Sequence, residues 1–166
     1  MKLKELYLKR ESCRNFNQKR VDKSILLEIL DEARLAPSAS NSQPWHFWLI
    51  DDEKIRAHIT SDLRAFTQLS GGMVIITSED RVFIPQPRRH DYYSFDIGGL
   101  TSHIILSASE RNIQTCLIGS FDDDHVKKVL PILKDEKIHI IILFGYCDDK
   151  PREKDRFNLK DKLTIV

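Results

Sequence analysis

The amino-acid sequence predicts an α+β (α/β) fold organised as one domain. Some segments, such as Ile25 to Ala33, place apolar residues every three or four positions, whereas others, such as Met73 to Thr77, are short β-branched runs. The chain has 166 residues, of which 41% are hydrophobic, which is enough for one buried core. No internal repeat or domain boundary interrupts this pattern, so residues 1–166 are expected to form a single domain.

The first half of the chain predicts three helices and two strands. The helical segments repeat their apolar residues at helical spacing, and two of them begin at an aspartate suited to an N-cap. The strands are short apolar runs, the second entered through a pair of glycines. In chain order, the predicted elements are a short helix that carries the Arg10-to-Arg14 motif at its end, a helix over about 23–36 capped by Asp22, a strand His46–Ile50, a more polar helix from the cap Asp51-Asp52 to about Gln68, and a strand Met73–Thr77.

The second half predicts two helices, two strands and an arm. Its long helix carries several small residues, which favour close packing against another helix or another subunit. Its last strand is almost wholly apolar and is therefore expected at the centre of the sheet. The segment Ile84 to Tyr93 fits no regular element. In chain order, the predicted elements are a helix from Asp91 to Asn112, a strand Ile113–Leu117, a short helix capped by Asp122, a strand Ile138–Tyr146, and an extended arm that starts with charged residues after Cys147 and ends with the apolar Leu163 to Val166.

Charge and hydropathy exclude several classes of protein. The net charge is +1, which argues against a general nucleic-acid binder with its concentrated basic excess. No apolar run approaches the roughly 18 residues that span a bilayer, and the N-terminus lacks the apolar region of a secretory signal. We therefore expect a cytoplasmic protein with neither a nucleic-acid nor a membrane partner.

The three cysteines, Cys13, Cys116 and Cys147, lie far apart and form no C-x-x-C pair. Their odd number and wide spacing argue against a disulfide framework, an iron–sulfur cluster or a structural zinc site. We expect Cys116 and Cys147 to be buried and inert, and Cys13 to be partly accessible. The histidines show no spacing typical of metal ligands, so no metal site is expected.

The segment Pro37 to Trp45 is the most informative part of the chain. It is dense in Ser, Asn and Pro and lies between a predicted helix and a predicted strand, as a tight hydrogen-bonding loop would. Its short side chains would let the backbone approach a ligand closely, and Asn41 and Gln43 can each donate and accept hydrogen bonds. An ordinary connecting loop of similar composition is the alternative interpretation.

Basic residues near both ends of the chain suggest an anion-binding site. Arg10 and Arg14 are four residues apart, so they would share a face if the segment were helical, and Ser12 lies between them. Two guanidinium groups and a hydroxyl suit a phosphate monoester. Lys154 and Arg156 supply a second basic pair that would have to converge on the same anion. A solvated arginine face paired with nearby glutamates is the alternative.

These segments together resemble the nitroreductase family of flavin-dependent oxidoreductases. The matching motifs are the R-x-S-x-R segment, the P-S-x-x-N-x-Q-P-W loop, a D-x-G helix at Asp96 and Gly98, the I-G-S-F turn, and the basic tail. The resemblance implies a three-layer α-β-α fold, with a central mixed, mainly antiparallel sheet flanked by helices and an extended C-terminal arm. It also implies a single FMN-binding domain and a homodimer with a shared flavin site.

The resemblance assigns roles to particular residues, with Arg14 tuning the ring electrostatically. The residues implied in FMN binding are Arg10, Ser12, Lys154 and Arg156 at the phosphate and ribityl chain, Arg14 at the pyrimidine edge of the ring, Pro37, Ser38, Ala39 and Asn41 in a loop contributed by the partner subunit, Gln68 as a polar contact, and the backbone of Ile118, Gly119 and Ser120 near the redox-active nitrogen. A glycine in this turn would permit a close approach of the backbone.

The resemblance implies a ping-pong oxidoreductase that passes hydride from NADH or NADPH through bound FMN to an electron-poor acceptor, nitroaromatic or quinone-like. The flavin carries the chemistry, so no catalytic side chain is expected. The alternatives are a flavin-binding or redox-sensing protein with little turnover, and a specialised family reaction such as dehalogenation.

The substrate side of the pocket has weaker indications. Phe66, Tyr92 and Tyr93 would stack on aromatic rings, and core packing explains them equally well. His90 would relay protons, but its neighbours Arg88 and Arg89 favour a solvent-exposed role over catalysis. Arg88, Arg89 or Lys150 would meet the adenine phosphate of NADPH. The region between Phe66 and Tyr92 is too short for the longer lid helices of many members, so the acceptor stays open.

Overall fold

The computed structural model describes residues 2–79, 92–148 and 152–166, and these residues form five helices and four strands. The elements are α1 (Leu3–Lys9), α2 (Lys23–Ala33), β1 (His46–Ile50), α3 (Glu53–Ile59), β2 (Gly72–Glu79), α4 (Tyr93–Glu110), β3 (Gln114–Ile118), α5 (Asp123–Val129) and β4 (Glu136–Gly145). Short 3₁₀ turns lie at Ala39–Asn41, Ala65–Leu69 and Leu159–Lys162. No helix among the described residues is long and apolar enough to cross a bilayer.

The four strands form one sheet in the order β1-β2-β4-β3, and each neighbouring pair is antiparallel. The apolar strand β4 pairs on both sides, which confirms its predicted central position. A parallel bridge between Ser12 and Thr115 adds the N-terminal segment to the open edge of β3. This bridge makes the sheet mixed, as predicted.

Helices cover both faces of the sheet and create two apolar cores. Val74 and Ile76 point to the face covered by α2 and α4, whereas Met73 and Ile75 point to the face that carries α3 and α5. The alternation follows from the two-residue period of a strand. The predicted three-layer α-β-α architecture is therefore confirmed.

The predicted helix starts hold, but two predicted helix ends are too late: α2 stops at Ala33, not near residue 36, and α3 also stops early. Asp22, Asp52 and Asp122 each accept hydrogen bonds from the first backbone N–H groups of their helices, as expected of N-caps. The polar helix α3, however, ends at Ile59 and does not reach Gln68. The hydroxyl of the C-cap residue Thr60 donates to the carbonyl of Arg56 at 2.9 Å, a side-chain contact that competes with helix continuation.

The cysteine prediction is also wrong. Cys13 and Cys147 form a disulfide, with Cα atoms 6.5 Å apart. Cys13 is buried and Cys147 is half-buried, the reverse of the expected exposures, whereas Cys116 is buried and free as predicted. Sequence spacing failed here because 134 residues separate the pair, and only the folded sheet brings them together.

The C-terminal arm is extended and exposed, as predicted. Its apolar residues Phe157, Leu159 and Ile165 are 80%, 72% and 85% exposed. A single chain therefore leaves this apolar surface uncovered.

Candidate functional site

The segment Arg10 to Arg14 is extended, so the predicted helical face of two arginines is wrong. The backbone N–H of Cys13 donates to the carbonyl of Thr115 at 2.9 Å, which fixes the segment along β3. The Arg10 guanidinium donates to the Ser12 hydroxyl at 3.3 Å. Arg10 and Ser12 are therefore adjacent, and the strand pairing, not a helix, positions them.

The charged start of the arm returns to this N-terminal segment. The Lys154 ammonium lies 3.0 Å from the Glu11 carboxylate and also donates to the Leu8 carbonyl. Arg152 donates its backbone N–H to Glu11 at 3.0 Å. The structure therefore brings Lys154 beside the Arg10 segment, whereas the guanidinium of Arg156 donates to the carbonyl of Asp155 at 2.6 Å.

Glu11 is the acidic centre of this junction. Burial alone would raise its pKa, but the hydrogen bond and charge of Lys154, helped by Arg152, hold the pKa of Glu11 below its ordinary value. The carboxylate is therefore ionised at neutral pH and neutralises part of the basic cluster. The sequence allows a nearby glutamate as the partner of the arginines at positions 10 and 14. In the structure, Glu11 pairs with Lys154 and Arg152, whereas Arg10 contacts Ser12.

A cavity of about 360 Å³ opens beside Arg14. Its lining includes the exposed Arg14 side chain, the end of β3 and the turn after it. The family resemblance assigns Arg14 and this turn to the same flavin ring. Its lining residues are Arg14, Asp62, Leu63, Arg64, Phe66, Thr67, Cys116, Leu117, Ile118, Gly119 and Ser120. Two guanidinium groups, an aromatic ring and exposed turn residues thus surround one space.

Two lining residues refine the predicted site. Phe66, assigned to the substrate side, lies in this cavity, whereas Arg64 was missed. Gln68 lines a different cavity of about 140 Å³, together with Arg20 and Arg56. The change follows from the early end of α3, because the 3₁₀ turn after it sets which side chains point to each cavity. In the sequence, the available signal for Arg64 as a site residue was its position close to a short polar turn.

Gly119 has open space beside it. A Cβ built at this position would meet only the Ile140 side chain, at an ordinary 3.8 Å, and no glycine of the described chain has a positive φ. The fold of this chain does not itself require glycine there. Space above the turn is therefore available to a ligand.

The loop Pro37 to Trp45 has a strained backbone held by local hydrogen bonds. Ser40, Asn41 and Gln43 have φ values of 52°, 55° and 46°, in the left-handed region that such residues seldom adopt. The backbone N–H of Gln43 donates to the Ser38 hydroxyl at 2.9 Å. This cost in backbone energy points to a loop whose shape matters.

Asp96 supports the loop from α4. Its carboxylate accepts the backbone N–H of Ala39 at 3.1 Å, and the residue is only 7% exposed. The sequence marked Asp96 only as part of a D-x-G motif. An acidic residue in the first turn of an apolar helix was the available signal for a role in holding another segment.

The loop and the Arg14 cavity lie on opposite faces of the sheet. Ala36, just before the loop, and Ile97, next to Asp96, belong to the core under α2 and α4. Phe66, Ile118 and Cys116 belong to the core on the α3 and α5 face. One chain therefore presents two separate groups of predicted cofactor residues.

The remaining predicted residues are placed as follows. Tyr92 precedes α4 and is half-buried, and the Tyr93 ring stacks on His139 with centroids 6.3 Å apart. Neither tyrosine lines the Arg14 cavity. Those that lie outside the described residues are His90, Arg88, Arg89 and Lys150.

A sequence model of the Nitroreductase family matches residues 7–84 and 63–146, well over half of the chain. The chain belongs to the nitroreductase family. The resemblance predicted from the two motifs is thereby confirmed, and this nitroreductase-family protein is an oxidoreductase by membership.

Individual relatives agree with this assignment over nearly the full chain. A protein of Archaeoglobus fulgidus, provisionally named as an NADH dehydrogenase/NAD(P)H nitroreductase, is 26% identical, covering 98% of this chain and 92% of the relative. A nitroreductase family protein of Clostridium difficile superposes with a TM-score of 0.87 at 24% identity, over 99% of this chain and 98% of that one. A provisionally named nitroreductase of Exiguobacterium sibiricum, solved in complex with FMN, has a TM-score of 0.84 at 20% identity, over 100% of this chain and 98% of that one.

Proposed function

We propose that this nitroreductase-family protein is an FMN-dependent oxidoreductase that passes hydride from NADH or NADPH to an electron-poor acceptor, nitroaromatic or quinone-like, by a ping-pong mechanism. The observation that carries the proposal is the cavity joining Arg14 to the turn Ile118–Ser120. Bound FMN would supply the hydride-transfer chemistry, and the protein would bind and orient it.

The segment that leads to Arg14 carries side chains that suit a flavin phosphate. Arg10 and Ser12 are in contact and both have donors for phosphate oxygens, and Lys154 lies beside the same segment. Charge-assisted hydrogen bonds of this type are about twice as strong as neutral ones. We therefore assign these residues to the phosphate, with Arg156 following on the arm.

Arg14 and Arg64 would place positive charge where the ring gains negative charge on reduction. Fixed charges aimed at a developing charge need no reorganisation during the reaction, which makes them effective in a site that excludes water. The Cys116 thiol lies at the back of this cavity, where burial raises its pKa, so it remains a neutral thiol there. Phe66 would stack on the aromatic donor or acceptor.

A second copy of the chain would complete the site. The loop Pro37–Asn41 lies on the face away from the Arg14 cavity, so a dimer would bring the loop of one chain to the cavity of the other. Phe95 is 71% exposed on α4, and Cβ atoms built at Gly98 and Gly99 meet nothing within 4 Å. This open helix face and the apolar arm supply surface for the partner.

The test is reconstitution with FMN followed by steady-state kinetics. We expect a yellow protein that oxidises NADH or NADPH and reduces menadione or nitrofurazone, with parallel double-reciprocal plots. Failure to bind FMN would overturn the proposal. Binding without turnover on either acceptor or on ferricyanide would favour a flavin-binding redox sensor, and loss of halide from a halogenated phenol would favour dehalogenation. We also place the protein in the cytoplasm, where the nicotinamide donors are generated.

A further inference from the structure

The Cys13–Cys147 disulfide joins the two segments that the proposed function assigns to the FMN phosphate. Cys13 stands between Ser12 and Arg14, in the segment paired to β3. Cys147 follows the end of β4, five residues before Arg152 and seven before Lys154. A single covalent bond therefore holds the origin of the arm against the N-terminal basic segment.

The non-covalent contacts across this junction would weaken when a phosphate binds. Lys154 is held by Glu11, with side chains 13% and 17% exposed, and Arg152 reaches the same carboxylate while 69% exposed. A phosphate anion competes with Glu11 for these cations, so its arrival removes the ion pairs that attach the arm. The disulfide is unaffected by that competition, and it is the covalent link that would keep Lys154 near the phosphate, whereas the other contacts across the junction, such as Asn17 to Asp148, are single hydrogen bonds.

The disulfide is open to exchange from one side. Both cysteines line a cavity of about 510 Å³ whose charged side chains are Lys9, Glu11, Arg14 and Arg152, and Cys147 is half-buried there. Cys13 is only 4% exposed. Because Cys147 is the more exposed of the two, a small thiol reaches its sulfur first. Three basic side chains against the one carboxylate of Glu11 favour a reagent with negative charge, such as glutathione.

We propose that Cys13 and Cys147 form a reversible thiol–disulfide site that sets how tightly the protein holds FMN. In the reductive direction, a thiolate attacks the Cys147 sulfur, the Cys13–Cys147 bond breaks, and Cys13 leaves as a thiolate that takes up a proton. A second thiolate then attacks the mixed disulfide and releases Cys147. Two small thiols become one small disulfide while the protein disulfide becomes two thiols, so electrons and atoms balance. The inference rests on the proposed function.

The test compares FMN affinity in the two redox states of the same protein. Protein oxidised with glutathione disulfide and protein reduced with dithiothreitol are each titrated with FMN, following the quenching of flavin fluorescence. We expect FMN to bind about tenfold more weakly to the reduced protein, a coupling typical of linked sites. Because linkage is reciprocal, saturating FMN should favour the disulfide over the two thiols by the same factor of ten. This corresponds to a midpoint potential of the cysteine pair that is lower by about 30 mV for two electrons.

Variants separate the disulfide from other contacts. Cys147→Ser should show the weaker affinity in both buffers, and peptide mapping after alkylation should detect the Cys13–Cys147 link in wild type only when oxidised. Asn17→Ala is the matched control, since Asn17 donates to Asp148 at 3.2 Å across the same junction without a covalent bond. It should keep the full redox dependence.

The outcomes are distinguishable from failure of the proposed function. Equal FMN affinity in both redox states, or no linked peptide after oxidation, overturns this inference while leaving the flavoenzyme assignment in place. Absence of FMN binding in either state overturns the assignment and this inference together. Redox-dependent affinity in wild type that is abolished in Cys147→Ser supports the inference.

Discussion

The Arg14 cavity and the loop Pro37–Trp45 both contain predicted cofactor residues, but the fold supports them differently. The cavity lies at the end of β3, where backbone pairing to Thr115 fixes the segment that carries Arg14, and buried apolar residues of the two central strands lie behind it. The loop has three residues with left-handed backbone and depends on its own hydrogen bonds and on one carboxylate from α4.

The comparison indicates that the two regions have different functions in the proposed cofactor site. The cavity side supplies fixed positive charge on a rigid support, as electrostatic stabilisation requires. The loop side supplies shape from a strained backbone, which needs a supporting residue to persist. Because the two lie on opposite faces of the sheet, the proposed flavin site would need the cavity of one chain and the loop of a second copy.

Removing the charge at the cavity should have the largest effect. We expect Arg14→Ala to lower kcat/KM for the acceptor about a hundredfold, the usual cost of losing one preorganised donor, and Arg14→Lys to retain much of the activity. Steady-state kinetics of the FMN-loaded protein measure this. The matched control is Arg34→Ala, because Arg34 is an exposed arginine paired with Asp31 at 2.7 Å. Equal losses in both variants would show that the cavity charge has no special role.

Removing the support of the loop should have a smaller effect, on binding. We expect Asp96→Ala to weaken FMN binding about tenfold, since a partly buried N–H at Ala39 loses its acceptor at a cost of about 1 kcal/mol. Asp96→Asn keeps an acceptor oxygen and should restore the affinity, because the hydrogen bond matters and not the charge. Fluorescence titration gives both constants. If Asn fails to rescue while thermal stability is unchanged, the role of Asp96 is not this hydrogen bond.

The smallest effect concerns the arm at the cavity side. The pKa of Glu11 is held below its ordinary value by Lys154, against the opposing effect of burial. The ion pair is therefore fully present above the ordinary glutamate pKa and is lost as the pH falls through the lowered value. Carboxyl carbon NMR of Glu11 should show the low midpoint in wild type and a higher one in Lys154→Ala. An unchanged midpoint would mean that Lys154 does not hold the arm.

Local rules predicted much of the fold. Asp22 and Asp52 cap helices as their sequence context indicated, His46–Ile50 is a strand with the predicted bounds, and the apolar β4 is central. Each of these depends on neighbouring residues alone, through capping or through the spacing of apolar side chains.

Features that depend on distant partners were not predictable. The Arg10–Arg14 segment is extended because it pairs with Thr115, about a hundred residues away in the chain. The disulfide between Cys13 and Cys147 requires the folded sheet in the same way. The lining of the Arg14 cavity by Arg64 instead of Gln68 depends on where α3 stops, and element ends are the least predictable feature of a sequence.

The most direct test of the shared site is complementation between two inactive variants. Arg14→Ala alters only the cavity. Ala39→Trp alters only the loop, because the tryptophan ring fills the space beside the half-buried Ala39. In dimers formed by random mixing of the two chains, half are mixed, and each mixed dimer has one site with both parts intact. We predict recovery to about one quarter of wild-type activity. A mixture as inactive as its parents, with mixed dimers shown by differential tags, would contradict the account.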